Sequence, residues 1–126
     1  MAAIRLEHVG IPAKGDAFEQ TIVFYETVFG WKRIKEISGN SRLCFISDSQ
    51  GGILEILDVD GPRIPNPAHL AFAVSLTEFD AALERATAAG VAFEPTTISG
   101  TGDSLAYFHD PAGNRAQLVG RKSPLE

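Results

Sequence analysis

Cysteine is nearly absent: Cys44 is the only one in 126 residues. A disulfide framework within the chain is thereby excluded, as is a cluster of thiolates around a metal. Cys44 alternates with Leu43 and Phe45 in a strand-like run, so it reads as a structural thiol. Runs of one charge are missing too. Eleven Lys and Arg stand against 16 Asp and Glu, a net charge of −5, and there is no long run of Lys or Arg. Nucleic acid and anionic membrane surfaces are poor partners for such a chain. No apolar run approaches the roughly 20 residues a helix needs to cross a bilayer. The N-terminus does not resemble a signal peptide, so the expected location is the cytoplasm.

What is present is an ordinary globular composition, 44% hydrophobic and 21% charged, on a chain long enough to bury a core as a single domain. Ile4 to Pro12 alternates as a strand, with Ile4, Leu6, His8 and Gly10 on one face. Asp16 is a candidate N-cap for a helix over Ala17 to Phe29, whose stripe of Phe18, Ile22, Tyr25 and Phe29 is core-like. Gly30 follows as a C′ glycine would. Three strands are expected next: Trp31 to Ile37, Arg42 to Ile46, and Ile53 to Leu57 with Glu55 at its centre. Asp58 to Pro67 carries Gly61, Pro62, Pro65 and Pro67, which bar regular structure and mark a linker.

The pattern then restarts. Ala68 to Val74 alternates as a strand, with His69, Ala71 and Ala73 on one face. Ser75 and Glu78 have capping-box spacing, and Phe79, Ala82, Leu83 and Ala86 form the apolar face of a helix that ends at Gly90. Val91 to Thr97 is an expected edge strand, interrupted by Pro95. Leu105 to Phe108 and Arg115 to Val119 form a hairpin around Asp110-Pro111-Ala112-Gly113. In its second strand Arg115, Gln117 and Val119 share a face. The expected boundaries are module one at 3–58, a linker at 58–67, and module two at 68–120.

Each half is a β-α-β-β-β unit with a histidine in its first strand and an acid or amide in its last. Glu55 follows His8 by 47 residues and Gln117 follows His69 by 48. Repeats of this size point to an internally symmetric fold, and halves this small need to pair. Singly, each of the four residues has a plain explanation: two hydrogen-bonded core histidines, a solvated or neutralised acid, a satisfied amide. Under twofold pairing they face one point. Two imidazoles, a carboxylate and an amide oxygen suit a borderline divalent ion with positions left for water or substrate.

The chain resembles the vicinal oxygen chelate superfamily, which includes glyoxalase I, bleomycin-resistance proteins and extradiol dioxygenases. The matching residues are His8-Val9-Gly10, Phe24-Tyr25-x-x-Val28-Phe29-Gly30-Trp31, Glu55, His69, and Asp110-Pro-x-Gly-Asn114 running to Gln117-Leu118. The resemblance implies an α+β fold of two βαβββ modules forming a half-open barrel around a metal. It also implies His8, Glu55, His69 and Gln117 as ligands of one divalent ion (nickel, cobalt, manganese, iron or zinc), and a homodimer. There are two departures from the pattern. Gln117 stands where the family most often has Glu, which counts against the extradiol dioxygenases and the fosfomycin-resistance enzymes. Pro12 and Val59 replace an Arg and an Asn of glutathione-using glyoxalase I. The expected function is a metal-dependent lyase or isomerase for a small substrate that chelates the metal through vicinal oxygens, with Glu55 as the group that moves a proton. The alternative is a metal-free protein that sequesters a small, antibiotic-type molecule. Trp31, Phe45 and Tyr107 are candidate substrate contacts in either case.

Overall fold

A computed structural model describes residues 2–126. The chain divides into two compact units, Met1–Arg63 and Ile64–Glu126. The first contains β1 (Val9–Pro12), α1 (Asp16–Val28), β2 (Lys32–Ile37), β3 (Leu43–Ser47) and β4 (Ile53–Leu57). The second contains β5 (Leu70–Ser75), a 3-10 turn at Leu76–Glu78, α2 (Phe79–Ala88), β6 (Thr97–Ile98), β7 (Ser104–His109) and β8 (Arg115–Arg121). Each unit is a four-stranded mixed sheet, in the orders β1-β4-β3-β2 and β5-β8-β7-β6. The first strand runs parallel to the last in both, and the remaining pairs are antiparallel. A parallel first-to-last pairing needs a crossover, and the helix supplies it.

Alternation decides which face each helix covers. In the first unit Ile11, Cys44, Ile46, Leu54 and Ile56 are buried, together with Phe18, Thr21, Ile22, Tyr25 and Val28 of α1. Val28, not Phe29, completes the helix stripe; Phe29 is the C-cap, and Gly30 follows at φ 74°. That left-handed conformation suits glycine and lets the Trp31 N–H reach the Tyr25 carbonyl at 3.0 Å. Arg33 on β2 pairs with both Glu19 and Glu26 of α1, fastening the helix to the edge strand. In the second unit Phe79, Ala82, Ala106 and Leu118 form a buried cluster flanked by Val74, Leu83 and Phe93. Gly120 permits this packing, because a Cβ there would lie 2.7 Å from the Phe79 Cβ.

Four sequence expectations change. The first strand starts at Val9, not Ile4; Ile4 and Leu6 are exposed at 101% and 79%, so alternation there has no surface to pack against. Asp16 does not cap α1. Its N-cap is Gly15, whose N–H donates to Asp58 Oδ1 at 2.7 Å, so the acceptor comes from far along the chain. The Ser75 capping box does not form: Ser75 precedes the 3-10 turn, and its hydroxyl bonds that of Thr77 instead. Only Thr97–Ile98 of the expected Val91 to Thr97 strand pairs, since Pro95 cannot donate to a ladder. Residues 58–69 contain no helix or strand. Among the described residues no helix is long and apolar enough to cross a membrane.

Candidate functional site

The face of each sheet away from its helix carries the singled-out residues. In the first unit Gly10 on β1 and Phe45 on β3 both pair with Glu55 on β4. In the second, Ala71 on β5 and Tyr107 on β7 both pair with Gln117 on β8. His8 lies two residues before Gly10, and His69 two before Ala71, each immediately ahead of its first strand. The rings repeat as well. His8 meets Phe45 edge-on at 5.2 Å and 88°, and His69 meets Tyr107 at 5.4 Å and 88°. The structure therefore places these residues as two equivalent trios, histidine, aromatic ring and acid or amide, one in each unit. Trp31 does not join the first trio; its ring lies 5.9 Å from that of buried Tyr25 on α1.

Each histidine is oriented by its Nδ1. In His8 that nitrogen lies 3.0 Å from a Glu7 carboxylate oxygen, and in His69 it lies 3.1 Å from the Pro67 carbonyl. Both partners only accept, so in the neutral rings Nδ1 carries the proton and Nε2 keeps its lone pair. Partners of this kind orient metal-binding imidazoles. Sequence reading missed Glu7 in this role, although its adjacency to His8 was visible.

The His8 Nε2 lies 3.7 Å from Glu55 Oε1. That is too long for a hydrogen bond, yet one ion with bonds of about 2.1 Å spans it easily. Gly10 leaves room for the carboxylate: a Cβ there would stand 3.1 Å from Glu55 Oε1 and 3.2 Å from Leu57 Cδ1. Gln117 is only 6% exposed, and its amide has no hydrogen-bond partner among the described residues. Its amide atoms are not sealed off from solvent, since Thr21 Oγ1 is the one buried side-chain oxygen or nitrogen without a partner among the described residues, so the amide is open to a ligand. The nitrogen and oxygen donors in each unit thus fit a borderline divalent ion, two donors per unit. Among the described residues no group of three or more His, Cys, Asp or Glu side chains is placed to hold a metal.

The hairpins that aim these strands also repeat, which the sequence reading did not detect. Asp110 Oδ1 accepts from the N–H groups of Ala112 and Asn114 at 3.0 and 2.9 Å. Asp48 Oδ1 accepts from Gln50 and Gly52 at 2.7 and 2.8 Å. Asp-Ser-Gln-Gly-Gly and Asp-Pro-Ala-Gly-Asn share only the opening Asp and the Gly at the fourth position, but the carboxylate organises both turns alike.

Cys44 lies buried on the helix side of β3, and burial pushes its thiol up to about 11. It is a core residue with little thiolate character.

Residues 5–118 match the Glyoxalase/Bleomycin resistance protein/Dioxygenase superfamily. The chain belongs to this superfamily. Its βαβββ modules are those of the glyoxalase fold, and solved structures of that fold cover it nearly end to end. The fosfomycin resistance protein FosX of Listeria monocytogenes, crystallised with Mn(II) and sulfate, is 22% identical at a TM-score of 0.79, over 96% of this chain and 95% of that one. A glyoxylase/bleomycin resistance protein/dioxygenase domain from Frankia sp. EAN1pec is 23% identical at 0.73, over 95% and 100%. An integron cassette protein from the mobile metagenome of a Halifax Harbour sewage outfall is 17% identical at 0.75, over 93% and 98%. No curated protein matches the chain. Identities this low establish a shared fold, and the superfamily embraces several chemistries on it.

Proposed function

We propose that the chain binds one divalent metal ion through His8, Glu55, His69 and Gln117, and acts as a glyoxalase-like lyase or isomerase on a small substrate with two neighbouring oxygens. The observation that carries this reading is the repeated trio, with the Nδ1 of each histidine taken by an acceptor so that Nε2 keeps its lone pair, and with the Gln117 amide making no hydrogen bond among the described residues. Pairing of the two modules, within one chain or between two copies, would bring the four donors to one ion. The Mn(II) in FosX crystals supports a divalent ion as the cofactor class. When bound, such an ion supplies Lewis-acid stabilisation for negative charge developing on the substrate oxygens.

The residues divide the remaining work. His8 and His69 hold, oriented by Glu7 and the Pro67 carbonyl. Gln117 offers a neutral oxygen, so the donor set carries one negative charge, from Glu55, and leaves net positive charge where an anion develops. Glu55 is the only one of the four that can take a proton as a carboxylate, so it removes the substrate proton and returns it at the neighbouring carbon. Phe45 and Tyr107 flank the two histidines and offer apolar contact.

The test is a Mn(II) titration by electron paramagnetic resonance. The wild type takes up one ion per set of four residues, and His8→Ala and His69→Ala each abolish uptake. Uptake that survives either substitution overturns the shared site. A protein that takes up no Mn(II), Ni(II), Co(II), Fe(II) or Zn(II) is instead the metal-free binding protein.

A further inference from the structure

We propose that Arg115 anchors an anionic group on the substrate, which makes that substrate a vicinal-oxygen compound bearing a carboxylate, phosphonate or phosphate. The proposal rests on the metal-site reading above and extends it to the substrate class. Arg115 opens β8 two residues before Gln117, on the same face of the strand. Its guanidinium carbon lies 3.8 Å from the centroid of the Tyr107 ring. Tyr107 pairs with Gln117 across the ladder and meets His69 edge-on. The cation is therefore layered directly beside two of the four proposed ligands.

Its surroundings are unusual for a half-buried arginine. Arg33, Arg42 and Arg121 each pair with a carboxylate. The Arg115 guanidinium has no carboxylate partner among the described residues, and its ladder partner is His109. The Tyr107 ring holds the guanidinium by cation–π contact but satisfies none of its donors. A fixed, partly desolvated guanidinium with free N–H groups is a bidentate receptor for a planar or tetrahedral oxyanion. The first unit has no such feature. Ile53, two residues before Glu55, takes the matching position. Anion recognition thus belongs to the second module alone.

The experiment uses Mn(II)-loaded protein and calorimetric titration with hydroxamates, which chelate through two neighbouring oxygens. Acetohydroxamic acid is the uncharged-tail probe; the monohydroxamates of malonic, succinic and glutaric acids add a carboxylate at increasing reach. In the wild type at least one of the three binds about tenfold or more tighter than acetohydroxamic acid, as charge-assisted bidentate pairing predicts. Arg115→Gln removes that preference to within about twofold while binding acetohydroxamic acid and Mn(II) as before. Arg115→Lys, which keeps the charge but loses the fork, retains part of it and guards against loss of fold in the first variant. A wild type with no preference for any carboxylated probe, or a preference that survives Arg115→Gln, overturns the anchor while leaving the metal site standing. Failure of the wild type to take up Mn(II) overturns the metal-site reading itself, and the chelated substrate class falls with it.

Discussion

The two modules share a backbone plan and differ in the charged groups around their histidines. Both set a histidine ahead of the first strand, an aromatic ring on the third and an acid or amide on the fourth, in matching register. In the first module the histidine leans on a carboxylate, Glu7, and faces another, Glu55. In the second it leans on a carbonyl, its partner position is the neutral Gln117, and Arg115 covers the aromatic ring. The surroundings of His8 are anionic, with two carboxylates beside the ring, whereas those of His69 carry a neutral amide and one guanidinium. A duplicated scaffold thus keeps its geometry, which register and hairpin chemistry impose, while its side chains diverge.

The sharpest way to break the comparison is to erase its central difference. Glu55→Gln gives the first module the amide of the second. It should fold and still bind hydroxamate in the presence of metal, but lose proton exchange into hydroxyacetone in deuterated water by about 10²-fold or more, the usual share of a general base. NMR follows the exchange directly, and equal rates in both proteins would remove Glu55 as the base. Next in size is Glu7→Gln. Loss of an orienting partner costs metal affinity 10- to 100-fold in general, and an exposed one such as Glu7 belongs at about tenfold. An unchanged Mn(II) affinity would show that the backbone alone orients His8.

The converse substitution sharpens the contrast. Gln117→Glu should tighten Mn(II) by about tenfold, because an added ligand charge lowers Kd, and should weaken carboxylated hydroxamates relative to acetohydroxamic acid. Equal Mn(II) affinities by calorimetry would remove Gln117 from the ligand set.

The smallest effect is a structural one confined to the second module. Asp103 is buried and accepts from Thr101, from the Lys122 N–H at 2.9 Å and from Ser99 at 3.1 Å. These bonds, the Thr101 hydroxyl foremost, hold its carboxyl down at about 2 instead of the ordinary 3.8. A depressed value means that the stabilisation is fully present above pH 3.8 and fades as pH falls toward 2. Asp103→Asn should lower the melting temperature by a few degrees at pH 7 and by progressively less below pH 4, a trend thermal melts across that range would show or refute.

The repeated order of elements could be read from the chain, and so could the matching histidine and acid or amide that each trio contains. Period-2 and period-3.6 patterns name elements without long-range information, and a His-to-acid spacing that occurs twice is visible by counting. Helix caps could not be read. Asp16 and Ser75 offered the right residue types locally, but Asp58, distant in sequence, took the place of one and a 3-10 turn displaced the other. The likeness of the two hairpins was hidden because one carboxylate accepting two N–H groups tolerates almost any residues between.

Sequence alone determined the order of elements, the faces they bury and the donor types available, since these follow from periodicity and side-chain chemistry. Tertiary structure decided which groups meet. The edge-on contacts of His8 with Phe45 and of His69 with Tyr107, and the room that Gly10 leaves for Glu55, depend on strands paired across dozens of residues, and the contact of Arg115 with Tyr107 depends on the register of a hairpin. Register is a property of the folded sheet: a slip of one residue sends every side chain to the opposite face.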